Sequence, residues 1–192
     1  MSPATDEELD VVELLERQHR EIKGLFSEVE MTTGDQRRRA FERLVRLMAV
    51  HETAEEEVVH PAARDAGIDE VVRARLQEEH DAKELLQRLD ELGPDAEDFM
   101  ADFRRLRQDV AEHAEHEELA EFPALRARHD RDRLKKMAAA VRAAEAIAPT
   151  HPHPGVESGA ANVVIGAPTA IVDRVRDAVR KAMGRSTTGT SD

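Results

Sequence analysis

His51-Glu52-Thr53-Ala54-Glu55-Glu56-Glu57-Val58-Val59-His60-Pro61 recurs later in the chain as His113-Ala114-Glu115-His116-Glu117-Glu118-Leu119-Ala120-Glu121-Phe122-Pro123. Both stretches fit H-x3-E-E-x3-[HF]-P. On a helix, residues four apart lie about 40° apart on one face, so each stretch presents an imidazole and a carboxylate side by side. A single pair of this kind on an acidic helix reads as a surface ion pair. Recurring inside a repeated unit, it reads as half of a metal site.

The repeat reaches beyond the motif. His19 precedes His51 by almost the same interval as His80 precedes His113, so the whole stretch from the lone histidine to the motif is present twice. Apolar residues flank both histidines: Leu14, Leu15, Ile22, Leu25 and Phe26 around the first, Leu76, Leu85, Leu86 and Leu89 around the second. Self-similarity at a fixed period marks a duplicated supersecondary unit. Here that unit is a helical hairpin giving one His from its first helix and a His plus a Glu from its second. Two hairpins give four helices and six candidate ligands: His19, His51, Glu55, His80, His113 and Glu117.

Composition supports an all-α chain. Charged residues make up 36% of it and aromatic residues only 3%, and the abundant Ala, Leu, Glu and Arg are strong helix formers. With no Cys, Tyr or Trp, disulfides, iron–sulfur clusters, thiolate zinc sites, a phenolate ligand and a stable aromatic radical are all excluded. Of the 28 basic and 41 acidic residues, five and four lie in 149–192, so residues 1–148 carry a net charge of −14. So acidic a domain repels phosphate backbones and anionic lipid and favours cations, which argues against nucleic-acid and membrane partners. No apolar run approaches the ~20 residues of a membrane span, and the acidic start is unlike a secretory signal, so a cytoplasmic protein is expected.

Periodicity and stop signals predict the elements. The first helix is expected from about 6 to 32, opened by a Thr5/Glu8 capping box, and the second from about 36 to the mid-60s. Pro61, inside the second, should bend or tighten it by clashing with the Glu57 carbonyl, as Pro123 should at Leu119. The third spans about 69 to 92, and the fourth starts near Asp95. A fifth covers about 130 to 147, with Leu134, Met137, Val141 and Ile147 on its apolar side. The domain is thus residues 1–148, followed by a Pro/Gly-rich linker (149–168), an amphipathic helix (169–184) suited to packing on the bundle or a protein partner, and a disordered tail (185–192).

Bundle cores are where facing helices build carboxylate–histidine dimetal sites. Four imidazoles and two carboxylates suit iron, with manganese as the alternative, and six donors leave open positions on two octahedral metals. In this order the ligands resemble the hemerythrin-like HHE cation-binding domain, whose hallmark is similar to the Glu-Glu-x3-Phe-Pro tail after His113. That resemblance, over residues 6 to about 147, implies an antiparallel four-helix bundle around a non-haem di-iron centre, oxo- or hydroxo-bridged. His19, His51, His80 and His113 would be terminal ligands, and Glu55 and Glu117 bridges. Unlike the oxygen-carrying hemerythrins, the chain has Glu84 where a second third-helix histidine would fall.

Other polar residues invite weighing. His60, nine residues past His51, falls about 180° away on an ideal helix, so it is expected to pack or face solvent. His116 and Glu118 flank the second pair, and Glu52 and Glu56 the first; each could orient an imidazole, but solvation is the plainer reading. His151 and His153, between prolines, read as turn residues. The functional expectation is a small-ligand redox protein consuming peroxide or nitric oxide, the alternative being O2, NO or iron binding, sensing or storage without turnover.

Overall fold

The computed structural model describes residues 9–147 together with Asp177, Ala178 and Lys181. The linker, terminal helix and tail expected for 149–192 otherwise lie outside the described residues, as do Thr5, Glu8, His151, His153 and the burial of Ile147. Among the described residues the chain is all α, with no strand. Helix α1 spans Val11–Met31 and α2 Gly34–Ala54, which runs through a π-helical turn, Glu55–Val59, into α3, His60–Asp65. Helix α4 spans Asp69–Leu92 and α5 Phe99–His116, which passes through a second π-helical turn, Glu117–Glu121, into α6, Phe122–Arg128. Helix α7 is Arg131–Ile147.

Helix α1 begins five residues later than expected. Its capping box is formed by Asp10 and Glu13: the Glu13 N–H donates to the Asp10 carboxylate and the Asp10 N–H to the Glu13 carboxylate. Asp-x-x-Glu ahead of an apolar run is the same kind of signal as Thr5/Glu8, and this pair directly adjoins the buried run Val11, Val12, Leu14, Leu15. Gly34 and Gly93 take positive φ, 55° and 79°, which glycine adopts without strain, and they mark the turns of the two hairpins.

The prolines widen the helices rather than tighten them. In each π turn the N–H of the residue just before the proline reaches back five positions: His60 donates to the Glu55 carbonyl and Phe122 to that of Glu117. The wider turn moves the carbonyl that the pyrrolidine ring would strike. Pro61 and Pro123 then sit in the first turn of a new helix, where a missing N–H is harmless.

The long helices form a bundle: α1 packs on α2, α4 on α5, and α7 against α1 and α2. The apolar core divides into two clusters. One gathers Leu14, Leu15, Val58, Phe122, Leu125, Met137 and Val141. The other gathers Ile22, Phe26, Phe41, Leu44, Met48, Phe99, Phe103 and Leu106, with Phe99 stacked on Phe103 at 5.3 Å and Phe41 edge-on to Phe99 at 5.1 Å. Each buried Phe contributes about 1.5–3 kcal/mol. Between the clusters lies a polar layer, because His19 falls between Leu15 and Ile22 on α1 and His51 follows Met48 on α2.

Candidate metal centre

Two groups of donors converge in that layer. His19, His51, Glu55 and Glu117 offer ligand atoms that all lie within 4.8 Å of one another, and so do those of Glu55, Glu79 and His113. Glu55 belongs to both. Within each motif the four-residue spacing brings the pair together: His51 Nε2 is 3.2 Å from Glu55 Oε1, and His113 Nε2 is 3.4 Å from Glu117 Oε1. The other oxygen of Glu117 is 3.3 Å from His19 Nε2, so this carboxylate also spans two imidazoles.

All three imidazoles are held from behind. His51 Nδ1 donates to the Gln18 side-chain oxygen at 2.7 Å, and Gln18 in turn donates to Glu145 on α7 at 2.5 Å. His19 Nδ1 is 2.8 Å from Glu118 and His113 Nδ1 3.0 Å from Glu78. Occupying Nδ1 fixes the tautomer and leaves Nε2 as the donor, the usual arrangement behind a metal-ligating histidine. The remaining atoms are orphans. His19 Nε2, His113 Nε2, Glu79 Oε2 and both oxygens of Glu55 and of Glu117 are buried with no hydrogen-bond partner among the described residues. One such group costs about 1–3 kcal/mol, and a convergent set of N and O atoms of this kind fits divalent metal.

The metal-free electrostatics agree. Burial first, then the charges of Glu117, Glu79, Glu121 and Glu52, push Glu55 well above the ordinary carboxylate range. Burial, then His19, lowers His51 to about 3, keeping it neutral. Burial also opposes an imidazolium at His113, but the carboxylates of Glu117 and Glu78 outweigh it and raise that ring to about 10. Glu117 is desolvated too, yet its histidine partners hold it below the usual range. Without metal, then, His113 holds a proton that a cation must displace, and Glu55 resists ionisation. Affinity for Co2+ is expected to rise by at least about tenfold per pH unit between pH 7 and 9. A plateau just above the ordinary histidine value of about 6.5 would show that His113 releases no proton to the metal.

His80 does not join the cluster. Its side chain is 63% exposed and pairs with Glu84, itself 73% exposed, at 3.4 Å. Glu79, 2% exposed, takes the inward position. The buried face of α4 is Val72, Arg75, Glu79, Ala82 and Leu89, which matches Val12, Leu15, His19, Ile22 and Val29 of α1 position by position. In this register Glu79, not His80, is the counterpart of His19, and the second hairpin is longer than the first between its two donor-bearing helices. Aligning the first helices on their histidines puts α4 one residue out, which turns a helix by about 100°. The apolar pattern of Val72, Ala82 and Leu89 carries the correct register. Glu79→Ala is expected to lower the metal content and His80→Ala to leave it unchanged, as read by elemental analysis; equal loading of both variants would contradict this face.

His60 is also placed differently: it is buried at 1% exposure. Its Nε2 lies 2.5 Å from Glu79 and its Nδ1 2.9 Å from Glu121. The π turn inserts one residue between His51 and His60, so they stand about 80° apart rather than about 180°. Burial disfavours a charge there, but hydrogen bonds to the two carboxylates raise His60 to about 9. His116 is half-exposed, 3.1 Å from Glu78. Glu52 is buried, raised to about 7 by desolvation despite Lys83 3.4 Å away, and Glu56 is 2.6 Å from the same lysine. Glu118, expected to be solvated, is half-exposed yet holds His19.

Residues 10–125 match the family model of the hemerythrin HHE cation binding domain. Among curated proteins, the chain is 24% identical over 140 residues to a DNA nickase of Nostoc sp. (strain PCC 7120 / SAG 25.82 / UTEX 2576). The match covers 72% of this chain and 40% of that protein, so the chain spans well under half the length of this relative. No solved structure matches.

Proposed function

The chain belongs to the hemerythrin HHE cation-binding family, and we propose that its His/Glu layer holds two non-haem irons and consumes peroxide or nitric oxide. The observation that carries this reading is the set of orphaned Nε2 and carboxylate atoms converging in two groups that share Glu55. Iron bound there supplies a redox change and the Lewis acidity that polarises a small oxygen or nitrogen ligand.

The protein's own residues do the rest. His19, His51 and His113 present Nε2, each ring held through Nδ1. Glu55 and Glu117 each lie between donors of both halves and so would be the shared carboxylates, and Glu79 would serve the second metal alone. The two apolar clusters on either side exclude bulk water, which strengthens every electrostatic contact in the layer. No Cys, Tyr or Trp is present to relay electrons. Disproportionation of two hydrogen peroxide molecules to two waters and O2 needs no outside reductant, whereas NO reduction draws on an external donor.

The nickase likeness supplies a different activity to test. A nicking site must hold a phosphodiester against the net charge of −14 on residues 1–148, and that repulsion favours a small uncharged ligand. Iron-loaded protein is expected to evolve O2 from peroxide and to leave supercoiled plasmid intact. A reversible O2 adduct with no peroxide or NO consumption would make the chain a carrier or sensor, and metal-dependent nicking would make it a nuclease.

A further inference from the structure

Three departures from the internal repeat meet in space. Where one half has His19 on its first helix, the other has Glu79; where one has Phe122 before its proline, the other has His60; and Glu121 stands opposite Val59 in the repeat. The His19 ring stacks on Phe122, with centroids 5.7 Å apart and planes 14° from parallel. On the other side the His60 ring stands in place of the phenyl and bridges Glu79 at 2.5 Å and Glu121 at 2.9 Å. Glu79, His60 and Glu121 are each at most 2% exposed. A stacked imidazole and phenyl have been exchanged, as a set, for a carboxylate–imidazole–carboxylate strap.

We propose that His60, braced by Glu121, is the positioning residue that makes Glu79 a metal donor, so that the two metals occupy unlike shells. The inference rests on the dimetal reading above. One position then draws on two imidazoles, His19 and His51, and the other on His113 and the terminal carboxylate of Glu79. His60 donates to Glu79 Oε1, and Oε2 is left buried with no hydrogen-bond partner among the described residues, available to a cation. Lys83 competes for that oxygen, its Nζ 3.6 Å from Glu79 Oε2. Without the His60 hydrogen bond the carboxylate is free to turn toward the lysine. Glu121 acts one step further out, fixing the ring through Nδ1 as outer partners fix ligating groups elsewhere.

The test is an anaerobic titration of the full chain with Fe2+ against a competing chelator, and with Co2+ followed by its visible spectrum. Wild type is expected to show two cobalt environments with distinct spectra. His60→Phe, which copies the other half of the repeat, is expected to weaken the second metal by ~10–100-fold and leave the first with its wild-type affinity and spectrum. Restoring the whole set in E79H/H60F/E121V is expected to return two metals with like spectra, a rescue that a merely structural role would not produce. Wild-type affinity and spectrum for both metals in His60→Phe would overturn the inference. Where His60→Phe fails to fold, a folded triple variant with two unlike sites, or with one metal only, overturns it. A wild type that takes up no metal overturns the dimetal reading and this inference together.

Discussion

Glu55→Gln is expected to raise the stability of the metal-free protein while abolishing tight metal binding. The two effects have opposite signs because one buried carboxylate causes both. In the metal-free fold Glu55 is fully buried among Glu117, Glu79, Glu121 and Glu52, and both its oxygens lack a hydrogen-bond partner among the described residues. Its folded pKa lies above the unfolded value of 4.5. As pH rises past 4.5 the unfolded chain ionises Glu55 freely and the folded chain resists, so the residue takes stability away as pH climbs above that value. Glutamine removes that loss. The gain should appear at neutral pH, because the neutral amide has no charge to desolvate, and it should vanish below about pH 4.5, where both states are protonated. Metal binding goes the other way: Glu55 is common to both donor groups, so its loss should cost more than the ~100-fold that removal of an outer-shell partner costs. Thermal melts of chelated protein and a Co2+ titration read the two effects separately. A metal-free variant less stable than wild type would show that Glu55 makes native contacts of its own.

The pairs His51/Glu55 and His113/Glu117 are legible in the sequence because the i,i+4 relation is a property of any helix, whatever packs around it. His19 is legible because its flanks, Leu15 and Ile22, put it in the middle of an apolar stripe. Glu79 is not, since a histidine one position on is the more conspicuous ligand and the leucines of α4 admit either register. Val72, Ala82 and Leu89 favour the register of Glu79, a fainter signal than the histidine beside it. His60 is hidden by a backbone feature: local geometry assumes 3.6 residues per turn, and the π turn before Pro61 adds one residue. Pro61 is the visible sign of an irregular turn, but a proline alone does not say whether the helix tightens or widens. The partners behind the rings, Gln18, Glu78, Glu118 and Glu145, come from α1, α4, the π turn before α6, and α7. Such long-range pairing has no local signature in an acidic sequence, where a glutamate beside a histidine is common.

Chelation is expected to lower the melting temperature of the metal-loaded protein by about 10 °C. The polar layer sits between two apolar clusters that must stay together for the bundle to hold, and without a cation it contains seven buried donor atoms with no hydrogen-bond partner among the described residues. A proton held on His113, and the resistance of Glu55 to ionising, lessen the charge among them. A cation that binds the folded chain alone stabilises it by about 4 kcal/mol when present at ~1,000 times its dissociation constant. For a chain of this size each kcal/mol moves the midpoint by roughly 2–4 °C, which gives a fall of ~8–16 °C on its removal. His80→Ala, on the exposed face of α4, should show the full difference, and Glu55→Gln almost none, since that variant relieves the metal-free state and binds metal poorly. The difference should also shrink as pH falls from about 8 to about 6, because protons then compete for His113 and Glu55 and weaken the cation's hold. A midpoint that does not respond to chelator at about pH 8, in protein whose metal content is shown to have been removed, would mean that the orphaned atoms are accommodated by the fold itself and not by a metal.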